Sequence, residues 1–266
     1  WNCKQGLTAM LDRIWGMLLL PGVSIELTVL ILLVFFVAGI VKGFLGIGLP
    51  AAAMAFLTLF IAPKTAISLM LLPIIFTNLM QFLRAPEPRQ TAMEYRYFAL
   101  AIMFSIFVTS LFINSYPAGL LTASIGAAMV AFSVNLLFGI TLPVSGHIGW
   151  QVGVGLFSGI LGGLSSIWSP PVAMYLLARN VSREKFISAT GFLFLAGCFP
   201  LAAGLVISGV VTTETLIHSL LGLGAVLAGF RVGEMLRGFV SQALFRKLVL
   251  IAFLIMGLRL IATGIL

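Results

Sequence analysis

Three serines, Ser165, Ser166 and Ser169, crowd a short stretch that also holds Trp168 and runs into Pro170 and Pro171. Hydroxyls donate hydrogen bonds, and a helix that starts at a proline turns its unpaired N–H groups and the positive end of its dipole toward whatever precedes it. Donors gathered at a helix start suit an anion. A second stretch builds the same device from other residues: Gly46 and Gly48 lead into Pro50, and glycines let the backbone approach a ligand closely. Lys42 is the one cation inside this pattern, and Asn78, further along, carries an amide able to bind a ligand. Each residue also has a structural alternative. Serines in apolar helices bond back to their own helix carbonyls, asparagine joins helices, lysine snorkels to an interface and tryptophan packs.

The two stretches are copies of one another. Ala38–Leu57 reads AGIVKGFLGIGLPAAAMAFL and Ser158–Leu177 reads SGILGGLSSIWSPPVAMYLL, aligned without a gap at a shift of about 120 residues. Gly39, Gly43, Ile47, Pro50, Met54 and Leu57 recur as Gly159, Gly163, Ile167, Pro170, Met174 and Leu177. At the same shift Lys42 stands opposite Gly162, and Asn78 opposite Cys198. Both copies place a Gly-rich, Pro-terminated break inside an apolar run, the arrangement in which membrane transporters commonly build their binding sites.

The elements that must position these residues are membrane helices. The 266-residue chain is 61% hydrophobic and 8% charged, whereas a soluble domain carries charge on about a quarter of its residues. Its apolar runs do not alternate, which selects helices over barrel strands. The net charge of +8 would suggest nucleic acid in a soluble protein, but here the basic residues sit in short connections between apolar spans, so no nucleic-acid partner is expected. The partners expected are lipid and a small anionic substrate, with a homodimer as a possibility.

The reading is all-α: a polytopic membrane bundle of about ten segments, arranged as two inverted five-helix repeats with broken or short second helices. The segments are placed near Ser24–Val41, Leu49–Ile61, Thr65–Leu83, Tyr95–Ile113, Ala118–Phe138, Ile148–Ser166, Pro170–Ala178, Phe186–Val211, Thr215–Phe230 and Leu248–Leu266. Residues 24–138 form the first repeat and 148–266 the second; 1–23, with Lys4, Asp12 and Arg13 among apolar residues, reads as an interfacial segment. If all ten segments cross, Arg84, Arg89, Arg96, Arg179, Arg183, Lys185, Arg231, Arg237, Arg246 and Lys247 share one face, and Lys64 and Glu214 take the other. The richly basic face is then cytoplasmic. If neither short segment crosses, two of the basic clusters fall on the wrong side. Ten crossings split five and five, and an odd repeat inverts its copy. Small residues such as Gly153, Gly155, Gly159, Gly162 and Gly163 provide faces for close helix approach.

With these pieces in place the chain resembles a known family, the TauE/SafE sulfite and organosulfonate exporters, also called the toluene-sulfonate uptake permease superfamily. The matching pieces are GIVKGFLGIGLP at Gly39–Pro50, Asn78, GLFSGILGGLSSIWSPP at Gly155–Pro171 and GFRVGEMLRGFVSQALFRKLVLIAFLIMGLRLI at Gly229–Ile261. Ser165, Ser166, Ile167, Trp168 and Ser169 replace much of the glycine found in second copies of the family. The resemblance implies a multi-pass transporter of the bacterial inner membrane, moving sulfite or sulfonates outward without hydrolysing ATP itself.

The residues agree with the last point, since the chain has no P-loop motif. It also has no nucleophile beside a base, no HExxH and no paired carboxylates in a span, so no enzyme is expected. Cys3 and Cys198 form no metal or disulfide motif, and neither cofactor nor metal is expected. His147, His218, Glu26 and Glu214 form no obvious proton relay. The candidate substrate-binding residues are Lys42, Gly46, Gly48, Pro50, Asn78, Ser165, Ser166, Trp168 and Ser169. A permease for other small organic anions or neutral solutes, or an anion channel, is the alternative reading.

Overall fold

The computed structural model describes residues 25–140, 144–236, 238–239 and 241–266, with the side chains of residues 183 and 242 excepted. The segment expected over 1–23 lies outside the described residues. The described helices are α1 (Ile25–Leu45), α2 (Leu49–Leu57), α3 (Pro63–Leu69), α4 (Leu71–Leu83), α5 (Pro88–Glu94), α6 (Arg96–Leu111), α7 (Ala118–Phe138), α8 (Ile148–Ser165), α9 (Ser169–Ala178), α10 (Arg183–Ile207), α11 (Thr213–Leu236) and α12 (Gln242–Ile265), with a single 3-10 turn at Ile113–Ser115. Six are long and apolar enough to cross a membrane, and two bent pairs raise the number to eight. The fold is a polytopic helical bundle.

Proline and charge explain where the elements depart from the expected boundaries. The third segment, expected as one helix, bends by 41° between α3 and α4. Pro73 has no N–H to give to the carbonyl of Leu69, four residues back. Ser219 of α11 replaces it, its hydroxyl donating to Leu69 O at 2.9 Å and accepting from Leu72 N at 3.0 Å. The fourth segment is preceded by α5, bent 72° from α6. Helix α11 runs to Leu236 rather than Phe230, and α12 starts at Gln242 rather than Leu248. The added turns carry Arg231, Glu234, Arg246 and Lys247, helix formers whose charged ends reach water beyond the hydrocarbon, where a hydropathy reading stops.

Three close pairings organise the bundle, and glycine makes each possible. Along α1 and α11, Gly39 faces the carbonyl of Val226, Gly43 that of Phe230, Gly229 that of Phe36 and Gly233 that of Ile40. These pairs ascend together, so α1 and α11 run parallel. Along α6 and α8, Gly155, Gly159 and Gly163 lie against Phe98, Ile102 and Ile106 in turn, again parallel. Of the other glycines expected to pack, Gly162 faces Trp168 instead, and Gly153 touches nothing. Helices α7 and α12 run antiparallel through Gly126–Gly257 and Gly119–Gly264. Helices α4 and α10 are also antiparallel: Gln81 bonds Thr190 at 3.1 Å, while Asn78 reaches Cys198 at 3.7 Å.

Basic residues gather at one end. Arg84 pairs with Glu234 at 3.4 Å and Lys185 with Glu94 at 2.6 Å, and Arg246 donates to Leu136 O at 2.7 Å. At the other end, Lys64 bonds Asn114, which in turn donates to Ser208 O at 2.7 Å.

A side chain at Gly229 would strike the Phe36 carbonyl. Gly229→Val is therefore expected to cost about 1–3 kcal/mol through overpacking, while Gly153→Ala leaves stability unchanged or slightly raised. Thermal unfolding of both variants in detergent, followed by circular dichroism, checks this; equal melting would refute the seam.

Candidate functional site

Each copied stretch breaks its helix with the same turn. Gly46 ends α1 with φ 82°, its N–H bonding Lys42 O at 2.7 Å; Ser166, its counterpart, ends α8 with φ 58°, its N–H bonding Gly162 O at 2.7 Å. Glycine adopts this left-handed conformation freely, whereas for serine it costs about 1 kcal/mol. Past the turns, α2 begins at Gly48 and α9 at Trp168, each with proline in its first turn. The backbone cradle expected at these starts is thin. Pro170 and Pro171 leave only Ser169 and Val172 with N–H groups in the first turn of α9, and Ala52 N is already bonded to Gly48 O at 2.9 Å. Side chains supply most of the donors.

The two breaks meet in one buried cavity. Lys42, Gly48, Pro50, Asn78, Ser166, Trp168 and Ser169 line it together with Ile47, Leu49, Ile74 and Phe194. Seven of the nine candidate residues thus converge. Gly46 lies outside it, on a neighbouring cavity. Ser165 also stays out: its hydroxyl bonds back to Leu161 O at 2.6 Å and accepts from Ile167 N at 3.1 Å, so it holds the turn.

The polar atoms at this cavity are chiefly donors. Lys42 does not snorkel; it is 3% exposed and its ammonium donates to Asn78 Oδ1. The Asn78 amide donates in turn to Cys198 Sγ at 3.7 Å, joining two positions that are equivalent in the repeat. Ser166 Oγ, Trp168 Nε1 and Ser169 Oγ are buried and have no hydrogen-bond partner. An unmet buried donor costs about 1–3 kcal/mol, and three beside an ammonium, with no carboxylate among the lining residues, form the complement of an oxyanion. Trp168 is fixed by Ser158, which donates to its carbonyl at 2.5 Å, and by an edge-to-face contact with Phe194. Gly162 makes room for the indole, since a Cβ there would fall 2.9 Å from Trp168 Cβ. The copies therefore contribute one large polar side chain each, at alternate positions: Lys42 where the other has Gly162, and Trp168 where the other has Gly48. The space left is about 20 Å³, enough for about one water.

A far larger cavity of about 650 Å³ adjoins it at the basic end of the bundle, with Ile47 in the wall of both. Its wall is mainly apolar, with Phe44, Leu136, Leu177 and Phe186, and its polar residues are Gln81, Thr190 and Arg246.

The sequence pattern of one family, described as Sulfite exporter TauE/SafE, matches residues 31–260. The chain belongs to the TauE/SafE family. The match takes in both breaks, Asn78 and the basic stretch that leads into α12. No curated protein and no solved structure matches the chain. As a TauE/SafE protein it is a membrane transporter of the sulfite exporter type.

Several residues that line the two cavities carry no distinguishing signal in the sequence. Phe194 and Ile74 are ordinary apolar helix residues with no local signal. Gln81 and Thr190 stand out only as polar residues within spans, and Arg246 reads as one of the loop charges, yet it lines the large cavity. Cys198 could have been found, because it is the repeat partner of Asn78.

Removing one partner of Lys42 leaves its ammonium buried without an acceptor. Asn78→Leu is expected to destabilise the protein by roughly 1–3 kcal/mol, and adding Lys42→Met should recover much of the loss. A double-mutant cycle on unfolding in detergent measures the coupling. Additive losses would show that the two side chains do not depend on one another.

Proposed function

We propose that this chain is a secondary transporter that exports sulfite and small sulfonates by alternating access, holding the oxyanion among Lys42, Asn78, Ser166, Trp168 and Ser169. The observation that carries this reading is the set of three unpartnered donors beside a buried ammonium at the meeting point of two helix breaks. A trigonal or tetrahedral oxyanion accepts several hydrogen bonds at once, and such a set matches it, with Lys42 as the counter-charge and no carboxylate in the wall to repel it. Gly48 and Pro50 shape the wall and allow close approach. The small volume corresponds to an occluded state, and the large neighbouring cavity to the path from one face.

The helix directions support ten crossings and an inverted repeat. If α9 turned back within the membrane, α4 and α10 would run parallel; they are antiparallel. With α9 crossing, α1 and α11 run parallel only if α2 also crosses, and they do. Exchanging the halves also maps the α1–α11 seam onto the α8–α6 seam, with Gly39 and Gly43 passing to Gly159 and Gly163. Residues 24–138 and 148–266 are then the two units, rocking against one another about the shared site. Placing the basic end in the cytoplasm of a bacterial cell follows the charge bias. An interior-negative potential then drives an anion outward, with about 2.3 kcal/mol per charge per 100 mV.

Counterflow in proteoliposomes tests the reading. Labelled sulfite should exchange against internal sulfite and compete with small sulfonates. Ser166→Ala, Ser169→Ala and Trp168→Phe should each weaken apparent affinity about five- to tenfold while the protein still folds and inserts. Exchange of carboxylates or neutral solutes in place of sulfite would favour a different permease, and non-saturable conductance would favour a channel. Unchanged affinity in all three variants would remove the site assignment.

A further inference from the structure

The repeat makes it possible to ask what the second vestibule looks like when the protein opens the other way. This step rests on the inverted-repeat reading above. Shifting the wall of the open vestibule by 120 positions gives the residues that would line its counterpart at the opposite end. Leu177 passes to Leu57, Ile187 to Ile67, Thr190 to Met70 and Gln81 to Leu201. All four counterparts are now fully or almost fully buried, so the far side is shut where the near side is open. Gln81 and Thr190 give way to apolar residues, while Leu45 and Gly46 pass to Ser165 and Ser166. Arg246 has no charged counterpart in any register, because α7, the repeat partner of α12, carries no basic residue.

The shift grows to 124 in the later helices, since Val226 and Phe230 of one glycine seam correspond to Ile102 and Ile106 of the other, and this sets Arg246 opposite Thr122, whose hydroxyl donates to Ala118 O at 2.9 Å. Arg246, by contrast, is exposed in the vestibule, with its guanidinium oriented by one bond to Leu136 O at 2.7 Å. That bond uses one of five donors. The described acids pair elsewhere or lie away from this wall: Glu234 with Arg84 and Arg231, Glu94 with Lys185. The remaining donors of Arg246 face a cavity large enough to admit an organic sulfonate, with apolar walls against which a short carbon body could rest.

We propose that Arg246 forms a capture site for an oxyanion in the vestibule at the basic end, and that the opposite vestibule has no such site. The anion is gathered on one face, passes Ile47 to the buried donors and leaves through a mouth that has no counterpart of Arg246. The asymmetry makes the two faces saturate at different substrate concentrations; the membrane potential, and not the capture site, sets the direction of net flow.

Arg246→Gln and Arg246→Lys in proteoliposomes of defined orientation test this, with sulfite and ethanesulfonate as substrates. Glutamine keeps a donor for Leu136 O but loses the charge; lysine keeps the charge. At low salt Arg246→Gln should raise KM at the basic face roughly five- to tenfold with the maximal rate from that face unchanged, and leave KM at the opposite face unchanged while the maximal rate from that face falls in proportion, as reversibility of a passive carrier requires. Arg246→Lys should recover much of the affinity. Added salt should raise the wild-type KM at the basic face and have little effect on Arg246→Gln, which a merely structural role for Arg246 would not produce. Equal changes at both faces, or no change at the basic face, would overturn the proposal. A wild-type protein that moves neither sulfite nor sulfonates would overturn the transport reading first, and this one with it.

Discussion

A backbone amide or carbonyl freed inside hydrocarbon has no water to turn to, and the structure of this protein follows from where it breaks its helices and what then satisfies the broken ends. At the α3–α4 bend, Ser219 both donates to the carbonyl that Pro73 cannot reach and accepts from a neighbouring amide. At the second copied break, Ser158 holds the Trp168 carbonyl and Ser165 accepts from Ile167 N. At both copied breaks a left-handed residue closes the helix onto its own last turn. Among the described residues, the buried side-chain atoms still unmet that can donate are Ser166 Oγ, Trp168 Nε1 and Ser169 Oγ, and these three lie at one place.

The same constraint explains why the breaks lie in the centre of the bundle. Irregular backbone is tolerated at membrane depth only where protein or a polar cavity surrounds it. The glycine seams between α1 and α11 and between α6 and α8 bring the long helices close enough to enclose both breaks. Bulkier residues there would force the helices apart and expose the turns. Packing and chemistry are thus coupled, since the helices that carry Gly39, Gly43, Gly159 and Gly163 are the ones that end at the site.

The two copies are alike in backbone and unlike in side chains. On the inverted-repeat reading we propose, such a scaffold would take two closely related conformations with the mouth at opposite ends, and the differences between copies would give that exchange a chemical direction. Lys42, Trp168, Ser166 and Ser169 line the small buried cavity, whereas Gln81, Thr190 and Arg246 line the larger one.

The sequence by itself determined the membrane helices, the duplicated break, the family and most of the polar residues that line the buried cavity, because these depend on composition, on glycine and proline, and on a repeat that a linear comparison detects. It did not distinguish Ser165, which bonds within its own turn, from Ser166, which does not, since both are serines at adjacent positions. It left Lys42 able to snorkel, because only the bundle decides whether water or Asn78 is within reach. Hydropathy ends α11 and begins α12 at the hydrocarbon edge, where Arg246 is indistinguishable from a loop charge; only the packed bundle makes it part of a cavity wall. Partners and exposure are properties of segments far apart in the chain, and the tertiary structure decided them by bringing residues 42, 78, 166 and 198 into one place.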